Sequence, residues 1–176
     1  MSTVAAPTYH LWLKPSGKAY DVLAKTIRDL ARELHVAPFE PHVTLLAYLD
    51  GTESEHRRRT TELADRLTPF ECVLTGAAYL DEHFRSLFML VDPTPAIMSC
   101  HTSATEAFNR PAEAYMPHVS LVYGMFPESR KREIIARLSP DIRTSFLMQS
   151  VILLKSESTE PRDWHEIAEY PFGGRT

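Results

Sequence analysis

The sequence predicts an α+β fold built from two lobes related by a pseudo-twofold axis. Two observations carry that prediction. The strand-like pentapeptide Pro41-His42-Val43-Thr44-Leu45 is written again, 76 positions later, as Pro117-His118-Val119-Ser120-Leu121. The same offset sets Leu11-Trp12-Leu13 on Leu87-Phe88-Met89, Phe39 on Tyr115 and Phe70 on Phe146, and it sets the helix-patterned stretch Ala19–His35 on Pro95–Arg110. Solenoid arrays need about three or more repeats, so a chain with two copies points to paired lobes. A pseudo-twofold would bring the two histidine strands together.

Each pentapeptide lies in an apolar run rich in β-branched residues, the composition of a strand. Alternation along a strand puts His42 and Thr44 on one face and Val43 and Leu45 on the other, and likewise for His118 and Ser120. Each strand therefore offers an imidazole beside a hydroxyl, with an apolar back for a core. One His-x-Ser/Thr triplet is a weak pattern, and a surface or core histidine explains most of them. A third instance, His101-Thr102-Ser103, falls in a helix-like stretch where i and i+2 do not face each other. Two copies sharing Pro, Val and Leu are a different matter.

The remaining elements follow in order. Tyr9–Leu13 is a strand, closed by Pro15-Ser16-Gly17. Tyr20, Leu23, Ile27, Leu30, Ala31 and Leu34 recur at helical spacing, as a core-facing stripe does. After the first histidine strand come a helix over Glu53–Leu67, strands over Phe70–Leu80 and Phe84–Val91, and a helix from Pro95 to Asn109. After the second come a helix over Glu128–Leu138, one long strand over Ser145–Lys155 and a last strand over Trp164–Tyr170. Asp81-Glu82-His83 is a turn, and Ser156–Asp163 a loop. The runs Arg57-Arg58-Arg59 and Arg130-Lys131-Arg132 read as solvated helix faces, because three successive helical residues point in different directions.

Composition narrows the function classes. The 176 residues fit one domain of two lobes, spanning 1–176. A net charge of −4 argues against a binder of long nucleic acid, which would ordinarily be basic. Cys72 and Cys100 lack CxxC spacing and read as reduced, buried and cytoplasmic, with a disulfide between them left open. Met1–Thr8 has no basic start followed by an apolar run, so no leader peptide is expected. No apolar stretch approaches the roughly 18 residues that span a membrane.

Two imidazoles and two hydroxyls in one cleft suit hydrolysis of a cyclic phosphate. Histidine titrates near neutrality, so one can take a proton from water while the other gives one to the leaving ribose oxygen. The hydroxyls can donate to the non-bridging phosphoryl oxygens. A metal site would want more ligands, and His10, His35, His56, His83, His101 and His165 show no HExxH-like spacing. A serine nucleophile would want a G-x-S-x-G elbow, which the chain lacks.

The paired Pro-His-Val-Thr/Ser-Leu strands resemble the signature of the 2H phosphoesterase superfamily. The contexts Phe39-Glu40-Pro41-His42-Val43-Thr44 and Tyr115-Met116-Pro117-His118-Val119-Ser120-Leu121-Val122-Tyr123 resemble its plant and fungal cyclic phosphodiesterase branch. The likeness extends to Leu90–Pro95 and to Leu154-Lys155-Ser156 with Trp164. It implies two lobes, each an antiparallel sheet with helices outside, around a central cleft. It also implies hydrolysis of ADP-ribose 1″,2″-cyclic phosphate to ADP-ribose 1″-phosphate, and of nucleoside 2′,3′-cyclic phosphates to 2′-phosphates, with no cofactor and no metal. By position, His42 and His118 are the acid/base pair, with His118 suggested as base and His42 as acid. Thr44 and Ser120 are the phosphate ligands, Tyr123 stacks on the base, and Trp12 and Phe84 are aromatic neighbours. Trp12 reads equally well as core. The expected partners are small cyclic phosphate nucleotides, not long nucleic acid or membrane, and a monomer is expected. Two alternatives stay open: a 2′,5′-phosphodiesterase or RNA-end-processing relative, and a non-catalytic nucleotide-binding module.

Overall fold

The alternating strand and helix patterns resolve, in a computed structural model that describes residues 7–173, into β1 (Thr8–Leu13), α1 (Gly17–Leu34), β2 (Val43–Leu49), α2 (Glu53–Ala64), β3 (Phe70–Ala78), β4 (Leu87–Val91), α3 (Pro95–Ala107), β5 (His118–Val122), α4 (Glu128–Arg137), β6 (Ser145–Met148), β7 (Ser150–Ser156) and β8 (Trp164–Pro171). The question of a leader falls almost wholly on residues outside those described. Among the described residues, no helix is long and apolar enough to cross a membrane.

The strands form one antiparallel sheet in the order β6-β3-β4-β5-β2-β1-β7-β8. The order is palindromic under the duplication: β5 answers β2, β4 answers β1, β3 answers β7 and β6 answers β8. One lobe is β1, β2, β7 and β8, the other β3 to β6. Gln149 alone separates β6 from β7, although these strands stand near opposite ends of the order. The sheet must therefore curl until its edges meet. Phe172 N–H donates to the Gln149 carbonyl at that junction, and the Phe70 and Phe172 rings stack beside it.

The helices follow the same symmetry. In α1 the residues Ala19, Leu23, Ala24, Ile27, Leu30 and Ala31 are buried, a helical stripe. The stripe packs on β5, the strand of the opposite lobe, and α3 packs on β2. Strands β2 and β5 share only one registered pair, Val43 with Val119. The seam between the lobes is thus held largely from behind, by helices crossing it, while the other face of the sheet opens as a cleft. Most of the apolar core lies on the helix side. A smaller cluster of Trp12, Ile152 and Leu154, capped by Trp164, lies on the cleft side.

Four expectations need correction. The stretch Ser145–Lys155 is two strands, because exposure alternates through β6 while β7 is buried almost throughout, and the chain changes lobes at Gln149. The 76-residue offset fails at Phe70 and Phe146, since the sheet pairs β3 with β7 by symmetry and not with β6. Phe84 leaves the strand expected over Phe84–Val91. It sits in a turn closed by the Leu80 N–H bonding to the Arg85 carbonyl. Lys131 is not solvated: it is 2% exposed, donates to the Leu80 carbonyl at 2.7 Å, lies 3.6 Å from Asp81 and sits over the Tyr79 ring. Its stem is covered and its charge partnered, which makes burial tolerable.

By contrast Arg57 and Arg58 each pair with a glutamate one turn away, as a solvated face does. Arg59 pairs with Glu55 but is half-buried, donating to the Ala107 carbonyl at 3.0 Å and lying over the Phe108 ring. Cys72 and Cys100 are buried free thiols, and burial pushes both up to about 12.

A bulge shapes the far end of β2. Tyr9 pairs with Leu49 and Leu11 with Leu46, so β2 carries an extra residue there. Tyr48 absorbs it with φ of 54°, the left-handed region, at a cost of roughly 1–3 kcal/mol for a residue other than glycine.

Candidate active site

Pro41 precedes β2 and Pro117 precedes β5, where a missing N–H costs no ladder bond. Val43, Leu45, Val119 and Leu121 point into the core and are fully or almost fully buried. Alternation then turns His42, Thr44, His118 and Ser120 to the opposite face. All four line one cleft of about 820 Å³, together with Trp12, Phe84 and Tyr123. The structure thus brings all seven singled-out residues to one cavity.

The two imidazoles are held alike. His42 Nδ1 donates to the Glu40 carbonyl at 2.7 Å, and His118 Nδ1 to the Met116 carbonyl at 2.8 Å. A carbonyl only accepts, so Nδ1 carries the proton in both rings and the neutral Nε2 is left as a lone-pair acceptor. The residue two before each histidine fixes its tautomer, a signal that sequence could not carry because any residue supplies that carbonyl.

Their surroundings differ. His42 is 6% exposed and stacks flat on Trp12, ring centroids 3.5 Å apart at 7°. At the matching place, β4 presents Phe88, whose ring meets His118 edge-on at 5.1 Å and 62°. Burial pushes His42 down to about 3, and the Glu40 carbonyl opposes it only partly. His118 is also lowered, again by burial, with its Met116 bond acting in opposition.

The hydroxyls differ as well. Ser120 Oγ donates to the Phe84 carbonyl at 3.0 Å, while Thr44 lines the cleft half-buried. The turn that carries Phe84 is pinned on two further sides. Lys131 holds Leu80, and Gly124 N–H donates to the His83 carbonyl. Gly124 has φ of 133°, and a Cβ there would lie 2.8 Å from the Phe126 ring, so glycine is needed to end β5 in this way.

Tyr123 stacks on Phe39 at 3.9 Å and 16°, with Phe84 edge-on at 5.2 Å and Trp164 at 5.9 Å. Trp12 is 8% exposed, meets Trp164 edge-on and lines the cleft, so it is core and wall at once. Sequence reasoning did not single out Phe39 or Trp164 for the site. The signals were there: Phe39 aligns with Tyr115 in the duplication, and Trp164 ends the tail likeness. His101 does lie in a helix, but it also reaches the cleft wall, stacked on Tyr115 at 3.9 Å. Among the described residues, no group of three or more His, Cys, Asp or Glu could hold a metal ion.

A duplicated strand pair that aims two imidazole Nε2 atoms into one cleft, on a palindromic antiparallel sheet, defines a two-histidine phosphoesterase fold. The chain belongs to the 2′-5′ RNA ligase superfamily, whose family model matches residues 12–160. It is 26% identical over 133 residues to the cyclic phosphodiesterase of Arabidopsis thaliana, covering 75% of this chain and 74% of that one. Its fold is similar to that of TT0787 of Thermus thermophilus, at 15% identity and a TM-score of 0.67, covering 96% of this chain and 100% of that one. It is likewise similar to E. coli LigT in apo form, at 15% identity and a TM-score of 0.64, covering 96% and 99%. LigT has also been solved with 3′-AMP, at 14% identity, a TM-score of 0.61 and coverage of 94% and 98%.

Proposed function

We propose that this chain is a cyclic phosphodiesterase that opens nucleoside 2′,3′-cyclic phosphates to 2′-phosphates and ADP-ribose 1″,2″-cyclic phosphate to ADP-ribose 1″-phosphate, without a metal. The observation that carries the reading is the mirrored pair of Nδ1–H bonds to backbone carbonyls, which leaves both Nε2 atoms free for proton transfer across one phosphate. The relative named a cyclic phosphodiesterase supports it, as does a LigT structure holding a nucleotide.

In this reaction one Nε2 accepts a proton from water as the water oxygen bonds to phosphorus. The bond from phosphorus to a ribose oxygen breaks, and the other histidine, charged, gives that oxygen its Nε2 proton. Water is added overall, and solvent resets the two rings. Thr44 and Ser120 serve the non-bridging oxygens, and Tyr123 serves the base.

We read His42 as the base, the reverse of the assignment suggested by the resemblance. Burial holds it unprotonated at pH 7, although the same burial makes it a weak acceptor in the empty cleft. Its low proton affinity keeps it neutral, while His118, less enclosed, is the easier ring to charge beside a bound phosphate anion. The Trp12 face would favour a charged His42, but a cation–π gain of about 2 kcal/mol is worth about 1.5 pH units and leaves that ring neutral at pH 7.

The test is turnover of a panel of cyclic phosphates in excess chelator. Expected is 2′-phosphate product from the nucleoside substrates, unaffected by chelation and lost in His42→Ala. Activity abolished by chelator and restored by one metal overturns the metal-free reading, and no turnover on any cyclic phosphate overturns the whole.

A further inference from the structure

Along β2 the motif is flanked on two sides. Phe39 and Tyr123 lie before it, and Tyr48 lies after it. Tyr48 lies four residue steps along β2 from Thr44, about 13 Å of backbone before the bulge shortens it. Tyr48 is 56% exposed, yet it lines the cleft and meets His10 edge-on, with ring centroids 5.3 Å apart. An aromatic residue held in the left-handed region at a bulge is a costly way to expose a ring, and such costs gather where a side chain must be aimed.

Polar groups converge beside it. His10 Nε2 and Ser156 Oγ lie 2.8 Å apart, as do Thr8 Oγ1 and Ser156 Oγ, and Thr8 Oγ1 lies 3.3 Å from His10 Nε2. Burial pushes His10 down to about 4, so this group is neutral at pH 7 and offers donors and acceptors without charge. On the Tyr48 side of the cleft, Arg110 gives one nitrogen to the Tyr48 carbonyl at 3.1 Å and forms no ion pair among the described residues. A flat ring, an uncharged hydrogen-bonding edge and a guanidinium with no carboxylate partner among the described residues match a heterocyclic base that follows a bridging phosphate. The cleft has room for one: at about 820 Å³ it is near the upper end of the roughly 300–1,000 Å³ of small-molecule sites.

We infer that Tyr48, His10, Thr8, Ser156 and Arg110 form a second nucleoside subsite, which selects substrates carrying a base beyond a phosphate bridge from the ribose that bears the cyclic phosphate. Tyr48 stacks on the distal base, the His10–Ser156–Thr8 group bonds its edge, and Arg110 meets the bridge. A base attached directly to the reacting ribose belongs to the Tyr123 side and makes no use of this subsite. The inference rests on the cyclic phosphodiesterase reading and sharpens it toward the extended substrate.

The experiment compares kcat/KM for ADP-ribose 1″,2″-cyclic phosphate with kcat/KM for a mononucleoside 2′,3′-cyclic phosphate, in the wild type, Tyr48→Asn and Arg110→Gln. Asparagine tolerates the left-handed backbone, so the ring is removed without adding strain. Stacking is worth about 1–3 kcal/mol per base. The ratio of extended to short substrate should therefore fall about tenfold or more in Tyr48→Asn, and also fall in Arg110→Gln. An unchanged ratio in both variants overturns the subsite while leaving the cyclic phosphodiesterase reading standing. A wild type inactive on both substrates overturns that reading instead. Loss of cooperative unfolding in Tyr48→Asn shifts the decision to Arg110→Gln, for which an unchanged ratio is again fatal.

Discussion

The two histidine strands are near copies in sequence, but their surroundings have diverged. His42 and His118 share a preceding proline, a carbonyl partner two residues back and a hydroxyl two residues on. What separates them comes from neighbouring strands. β1 lays Trp12 flat on His42, while β4 turns the edge of Phe88 to His118. On the second strand the hydroxyl is tied to the Phe84 carbonyl. Duplication makes two equivalent imidazoles, whereas acid–base catalysis needs two inequivalent ones. Changes in the second layer, at Trp12 and in the turn at Phe84, supply the inequality without touching the motif.

The comparison can be broken at several points. The largest effect is expected from the imidazoles: His42→Ala and His118→Ala should each lower kcat by about 10²–10⁴-fold. A substrate whose leaving oxygen is too acidic to need a proton should rescue His118→Ala and not His42→Ala. Rescue of His42→Ala alone would restore the opposite division of labour. The same division predicts a bell-shaped kcat/KM profile displaced below pH 6.5, because both rings are lowered in the empty cleft, and a kcat profile displaced upward by the bound anion.

The hydroxyls come next. Thr44→Val should cost about 10²–10³-fold in kcat, as for other donors to a developing oxyanion. Ser120→Ala should cost less, since in the free protein its proton is already committed to Phe84. A larger loss from Ser120→Ala than from Thr44→Val would remove this asymmetry.

Acid should expose the difference in burial. The folded-state affinity of His42 lies below the ordinary 6.5, so both states are neutral above pH 6.5. Below it the unfolded chain takes up protons first and stability falls until about pH 3. By pH 5 this ring alone should cost on the order of 2 kcal/mol. His10 adds a loss of about the same size by pH 5, in the same direction, and its loss ends sooner, near pH 4. Urea midpoints at pH 7 and pH 5 measure it. His42→Gln should flatten the pH dependence more than His118→Gln does, and equal flattening would mean that the two rings are equally enclosed.

The smallest effect should come from Trp12→Phe, which makes the first half resemble the second. The His42 titration, followed by NMR, should move up toward 6.5 and carry the acid limb of the rate profile with it. No movement would mean that Trp12 does not shield the ring.

The duplication, both motif strands and the cleft residues His42, Thr44, His118 and Ser120 were legible because alternation within a strand is a local property, whereas Tyr123, one residue past β5, was reached through the family resemblance. So was the α1 stripe. The break at Gln149 was readable in principle, as a switch from alternating Phe146 and Met148 to the continuous apolar run from Val151 to Leu154. Lys131 was misread because its partners, Leu80 and Asp81, lie about 50 residues away in the chain. The Thr8–His10 pair and Ser156 were missed for the same reason. Each gains its meaning from a strand distant in sequence.

The lobes also differ in how the chain supplies them. Strands β3 to β6 come from one uninterrupted stretch, residues 70–148, whereas β1 and β2 must wait for β7 and β8. The Tyr9 to Lys155 pairing closes a loop of almost the whole chain. Contacts of such sequence separation form late, because their closure entropy is not repaid until the distant partner arrives. During synthesis the half bearing His118 can therefore assemble while the ribosome still holds the end of the chain. The half bearing His42 acquires the floor beneath Trp12, which Ile152 and Leu154 provide, only after β7 has emerged. Vectorial translation thus completes the cleft last on the side of its most deeply enclosed imidazole.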